Sequence, residues 1–140
     1  MKRGRIKYSK AQVGIEYMII VGFITFSVIV ILFTAIAYSD KIKDKIRLNQ
    51  VENFAEQLLN SAESVYFAGE PSKTTIRLYL PEGVSSLEIT PTYLIITTRT
   101  SSGENRRAFS SKVPISGTIS TSEGIKKLTL EATEDYLVIS

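Results

Sequence analysis

The 140-residue chain contains no cysteine and no histidine. Without cysteine there is no disulfide framework and no thiolate metal site. Without histidine the commonest general base and the commonest zinc ligand are both missing. No Gly-rich phosphate loop, nucleophile elbow or metal-ligand cluster appears either. Glu82, Glu88, Glu104 and Glu123 lie in or beside expected turns, with no spacing that would pair two of them as acid and base. They read as solvated surface, so the expectation is a protein that is not an enzyme and uses no cofactor and no metal. No N-x-S/T sequon occurs, and no proline precedes Pro71. The first absence argues against N-glycosylation, and the second leaves nothing in the first half to break a helix.

Charge of one sign is scarce where it would matter for nucleic acid. The net charge is +3, but Lys2, Arg3, Arg5, Lys7 and Lys10 crowd into the first eleven residues with no acid among them. Beyond that head, twelve of the 17 basic residues face all 14 acids, a balance on the acidic side. Arg106-Arg107 and Lys126-Lys127 are scattered pairs that suit solvated strand edges better than an anion-binding face. No nucleic-acid partner is expected.

The longest absence of charge organises the chain. Glu16 stands at the head of an apolar run, and the 23 residues from Tyr17 to Ser39 then carry no charge. A run of this length and composition reads as a membrane-spanning helix, roughly 35 Å long at about 1.5 Å per residue. Tyr17 and Tyr38 bracket it where aromatic residues favour the headgroup level. Gly22, Thr25 and Ser27 supply small positions at which another helix can approach, although ordinary membrane-helix composition explains them as well. The basic head of residues 1–11 favours a cytoplasmic N-terminus, against a weaker opposing vote from Lys41, Lys43, Lys45 and Arg47 just past the span.

From Asp40 the pattern becomes amphipathic. Leu48, Val51, Ala55, Leu58, Ala62 and Val65 recur at spacings of three and four, the stripe of a helix with one buried face. Phe54, Leu59 and Tyr66 widen the stripe, and Glu52, Glu56, Asn60 and Glu63 are expected to form the opposite, wet face. Gly69 reads as the C-cap and Pro71 as the stop. One helix from about Val13 to Ala68 results, apolar all round in its first half and one-sided in its second. Its length requires it to project from whatever domain follows.

After Glu70 the vocabulary changes to β-branched residues, aromatics and turn formers. Strands are expected over 74–80, around Leu87 and Ile89, over 93–99, 107–113, 118–121, 125–132 and 136–139. The four apolar residues from Tyr93 to Ile96 suggest a strand buried on both faces, and 101–105 reads as a loop. Seven short strands with turns every eight to twelve residues argue for an antiparallel sandwich or small barrel. So small a domain buries a marginal core by itself. The stripe from Leu48 to Val65 is the natural cover for it. The expected fold is thus α+β, a long N-terminal helix projecting from, and packing on, a small antiparallel β-sandwich-like domain. Its parts are a basic head at 1–11, a transmembrane helix at 12–39 (the part that the resemblance described next makes a filament core), the amphipathic half at 40–69 and a β-rich head at 73–140.

A basic leader ending in a small residue, followed by Lys10-Ala11-Gln12-Val13-Gly14-Ile15-Glu16-Tyr17 and an uninterrupted span, resembles the class III signal peptide of archaeal type IV pilin precursors. The match covers about 30 residues and departs at Gly14, where family members usually have serine; the helix-plus-head layout extends it to the whole chain. The resemblance implies cleavage by a prepilin peptidase between Ala11 and Gln12, which makes Glu16 the fifth residue of the mature chain. Lys10, Ala11, Gln12, Gly14 and Glu16 then form the processing site. Gln12, Glu16, Tyr17 and Gly22 take the assembly and register roles.

The implied protein is a structural subunit of a surface filament, held in the cell membrane as a precursor with its N-terminus in the cytoplasm. Later it is polymerised through its apolar helix into an extracellular pilus. Its partners would be the membrane, the peptidase, other copies of itself and, indirectly, the assembly ATPase and platform machinery. Surface attachment is the family-level expectation. Three other fates fit the residues. One is a single-pass anchored surface protein, and another a minor pilin-like component outside the filament body. The third is a secretory signal cut near Ala35-Ile36-Ala37.

Overall fold

The computed structural model describes the backbone from Ile6 and the side chains from Gln12 onward. Lys2, Arg3 and Arg5 of the basic head lie outside the described residues, as do the side chains of Lys7, Lys10 and Ala11. The chain is α+β, with one long N-terminal helix, α1 (Ile6–Ala68), followed by seven strands. These are β1 (Lys73–Leu80), β2 (Val84–Ile89), β3 (Tyr93–Thr100), β4 (Gly103–Ser110), β5 (Ile115–Gly117), β6 (Gly124–Ala132) and β7 (Leu137–Ile139). Two compact units meet within the helix, one ending at Lys41 and the other running from Ile42 to Ser140.

α1 begins earlier than the expected Val13, because Lys7 to Gln12 contains no residue that opposes a helix. It also runs unbroken through Gly22. At the other end the amide of Gly69, in the left-handed region at φ 77°, donates to the Tyr66 carbonyl at 3.0 Å. Pro71 follows, after a cis Glu70–Pro71 peptide.

In the second unit, Val51, Phe54, Ala55, Leu58, Leu59, Ala62 and Val65 of the helix are all buried. Leu48, at the end of the stripe, is half-buried. Ala55 and Ala62 alternate with larger residues and have no exposed surface. The helical stripe shares one apolar cluster with Leu78, Leu80, Leu94, Ile96, Leu128 and Leu130 from the strands. The α-helix therefore contributes one wall of the only core cluster found among the described residues.

The strands form two sheets, one of order β1-β6-β7-β5 and one of order β2-β3-β4. All pairings are antiparallel except β5 with β7, which run parallel. Alternation accounts for β1 and β6, whose Leu78, Leu80, Leu128, Leu130 and Ala132 face inward.

Three expectations are corrected. First, β3 is not buried on both faces. Leu94, Ile96 and Thr98 are buried, while Ile95 and Thr97 on the other face are only half-buried. Second, 101–105 is not a loop. Ser101 and Ser102 alone join β3 to β4, and the Thr100 hydroxyl donates to the Gly103 carbonyl at 2.7 Å to close the turn. Glu104 and Asn105 read as loop by composition, and the strand expected at 107–113 starts earlier and ends at Ser110, as an edge strand whose residues are at most half-buried. Third, the strand expected at 118–121 lies at Ile115–Gly117 instead. Parallel pairing with β7, which no local pattern announces, selects those three residues.

Candidate assembly surface and helix clamp

The sequence-predicted site residues fall on two different parts of α1. Gln12, Gly14, Glu16, Tyr17 and Gly22 all lie in its first unit and are exposed. The Ala11–Gln12 bond is inside the helix. Neither Gly14 nor Gly22 has an atom within 4 Å of where a Cβ would be, beyond the helix's own backbone. Around them the apolar surface is open on every side. Tyr17 is 68% exposed, Phe23 71% and Phe33 77%, three positions that at about 100° per residue point to different sides of the helix. This segment is long and apolar enough to cross a membrane.

The few polar groups in that surface are satisfied locally. The Thr25 hydroxyl donates to the Val21 carbonyl at 2.8 Å, Ser27 to Phe23 at 2.8 Å and Thr34 to Val30 at 2.9 Å. These hydroxyls bond one turn back, so they need no partner helix and impose no desolvation cost in an apolar environment. Glu16 has no such arrangement among its neighbours. A carboxylate at the edge of an apolar span costs a few kcal/mol unless it reaches the interface, is protonated or is paired.

Besides the predicted stripe from Leu48 to Val65, the second unit of α1 carries a feature that was not legible in the sequence. Arg47, counted in the sequence among the basic residues flanking the span, and Asp44 three residues before it grip two turns of the β domain. The Asp44 carboxylate accepts from the Ser101 amide at 2.9 Å and from the Ser101 hydroxyl. Arg47 donates to Asp44 at 3.3 Å, to the Arg99 carbonyl at 3.4 Å and to Glu82. Its Nε is buried against Gly83 without a partner. The β1–β2 turn and the β3–β4 turn are thereby fastened to one turn of helix. The available sequence signal is the i, i+3 spacing of Asp44 and Arg47, which is too common to single them out.

Glu52 and Glu63 likewise depart from the expected wet face. They lie eleven residues, three helical turns, apart, so they leave the helix at the same border of the stripe. Glu52 pairs with Arg107 at 3.0 Å and Glu63 with Lys112 at 3.1 Å. Glu56 and Asn60, further round, are exposed as expected. Pairs this accessible contribute little, roughly 0–1 kcal/mol each, and serve mainly to set the helix's rotation over the strands.

The two hydrogen bonds from Ser101, first the hydroxyl and then the amide, hold the Asp44 carboxyl below its ordinary 3.8, with Arg47 adding to the effect. A depressed carboxyl stabilises the fold fully above the unfolded value and loses that contribution as pH falls through the folded value. Acid unfolding of the full chain in detergent should therefore show an acid limb below about pH 4 that Asp44→Asn flattens. Superimposable acid limbs for parent and variant would show that the clamp carries no proton linkage.

Shallow grooves beside the helix, among the described residues of the second unit, have mixed polar and apolar linings. One, about 480 Å³, is lined by Ser61, Ser64, Ser72 and Lys73 among others. Another, about 230 Å³, is lined by Gln50, Asn53, Gln57 and Arg77 with Tyr79. Among the described residues no group of three or more acids is placed to hold a metal ion. The concentration of unusual surface is thus in the apolar first unit of α1. No protein-family model, curated protein or solved structure matches the chain.

Proposed function

We propose that the chain is the precursor of a pilin-like structural subunit, which leaves the membrane after processing and polymerises through its apolar helix. The observation that carries this reading is the run from Val13 to Tyr38, exposed on all sides and headed by a single acid at Glu16. A cut at Ala11–Gln12 would fall before that run and not after it. The span would survive, and five basic residues that hold the head in the cytoplasm would go. What remains is a rod that cannot stay in water. At about 25 cal/mol per Å², burying even half of its side chains favours association by tens of kcal/mol per subunit before entropy costs. Copies of the same rod, replacing lipid, satisfy that demand.

Glu16 then takes its partner from a neighbouring copy, the free α-amine of Gln12, which sets axial register. Cyclisation of Gln12 to pyroglutamate would remove that amine. Loss of one ammonia from the N-terminal peptide in mass spectrometry would sink the pairing and leave the filament standing.

N-terminal sequencing of the mature protein, combined with electron microscopy of cells expressing the parent or Glu16→Ala, tests the reading. A Gln12 start is expected, with filaments in the parent and a reduction of about tenfold or more in the variant, the scale of a lost charge pair in an apolar setting. A Met1 start without filaments would instead indicate a permanent membrane anchor, and a start near Ser39 a removed secretory signal.

A further inference from the structure

The outer face of the four-stranded sheet carries an arrangement that its own chain does not explain. Arg77 of β1 and Lys127 of β6 stand directly opposite one another in the register. Both are exposed, and neither has an acid partner. Like charges at directly opposed positions disfavour the pairing they sit on. Next along the same face, Tyr79 lies opposite Ile125, and these are 54% and 75% exposed. At the end of β6, Glu134 and Asp135 form the tip of the β6–β7 turn beside the half-exposed Tyr136, and they too are without a basic partner.

Hydrogen bonds between its first and last residues close that turn. The Thr133 amide donates to the Tyr136 carbonyl at 3.0 Å, and the Tyr136 amide to the Thr133 hydroxyl at 3.4 Å. At about 3.3 Å per residue, the five residues from Lys127 to the end of β6 at Ala132 put the start of the turn roughly 17 Å from Lys127. No side chain bridges that distance within one chain.

We infer that the Arg77–Lys127 face of one copy receives the Glu134–Asp135 turn of another, with Tyr136 packing against the Tyr79–Ile125 pair. The donor and acceptor patches differ, so the contact is heterologous and repeats from copy to copy without closing into a dimer. It rests on the self-assembly reading above. It supplies what an apolar rod alone lacks, a directional contact between heads. The contact is small and weak by itself, and tethering each head to a bundled helix raises its effective concentration.

The absence of cysteine makes the test clean. The full-length chain carrying Lys127→Cys and Asp135→Cys, both at exposed positions, is oxidised in membranes and sheared filaments of expressing cells. Non-reducing gels are expected to show a ladder of trimers and higher species, with neither single cysteine giving more than dimers. In that background Arg77→Glu should lower the ladder about tenfold, and Glu134→Lys added to it should restore most of the loss. No ladder, or dimers alone, would overturn the contact. Filaments without a ladder would reject this contact and keep the filament reading, whereas a ladder from cells without filaments would do the reverse.

Discussion

Gly117→Ala is expected to remove about 4 kcal/mol of stability from the β domain, the sum of a strained backbone and a steric conflict. Gly117 adopts φ 144°, and a Cβ there would lie 2.0 Å from the Ile139 carbonyl oxygen and 2.9 Å from its carbon. Those atoms are backbone, held in the parallel β5–β7 pairing where Gly117 faces Ile139. They cannot rotate away as a side chain would. Nor can the strands separate freely, because Ile115, Leu137 and Ile139 are all buried in the core. A loss of this size should lower the unfolding temperature of so small a domain by roughly 15 °C or more. Tyrosine fluorescence of the full chain in detergent follows this unfolding, since Tyr66, Tyr79, Tyr93 and Tyr136, four of the seven tyrosines, lie in the second unit. Gly103→Ala is the control. Gly103 also has positive φ, at 123°, but nothing within 4 Å, so only the backbone term of roughly 1–3 kcal/mol applies. Equal effects for the two substitutions would show that the close approach to Ile139 is not rigid.

Leu58→Ala is expected to cost about 3–4 kcal/mol, within the range for a leucine lost from a packed core. Leu58 is fully buried, one turn from each of two alanines, Ala55 and Ala62, that are also fully buried. Alanine neighbours offer little volume to collapse into the space, which places this site toward the costly end. Asn60→Ala, on the exposed side of the same turn, should change stability by less than about 0.5 kcal/mol. A second comparison separates the two units of α1. Phe33→Ala removes a larger side chain, yet Phe33 is 77% exposed in the single chain, so unfolding of the β domain should not register it. If Leu58→Ala were as mild as Asn60→Ala, the amphipathic stripe would not be the core wall described above.

The contrast between Leu58 and Phe33 is the functional content of the helix. One continuous element carries both: a stripe that completes its own domain and a surface that none of the described residues covers. Proteins that fold alone rarely leave an apolar surface of this extent exposed. The clamp at Asp44 and Arg47 stands on the first turns of the second unit. It gives the helix a defined seating on the β domain at the point where its burial begins.

Sequence alone determined the elements whose signals are local. The uncharged run after Glu16 and the three-and-four spacing from Leu48 to Val65 follow from hydrophobic periodicity. So does the inward alternation of β1 and β6, and the Gly69 cap follows from the φ that glycine permits. These depend on neighbours a few residues away, and a single chain displays them in full. Tertiary structure decided the features that join distant residues. The parallel pairing of Ile115–Gly117 with β7 placed a strand where composition suggested none. The two-residue turn at Ser101–Ser102 turned a polar run into β4. Glu52 and Glu63 left the wet face because Arg107 and Lys112 came within reach of that border of the helix. Asp44 and Arg47, unremarkable as juxtamembrane charges, became a clamp only once two turns, 35 and 57 residues further on, were brought against them. The physical reason is the same in each case: a backbone pairing or an ion pair depends on which groups the folded core places within about 3 Å of one another. Sequence separation carries no record of that.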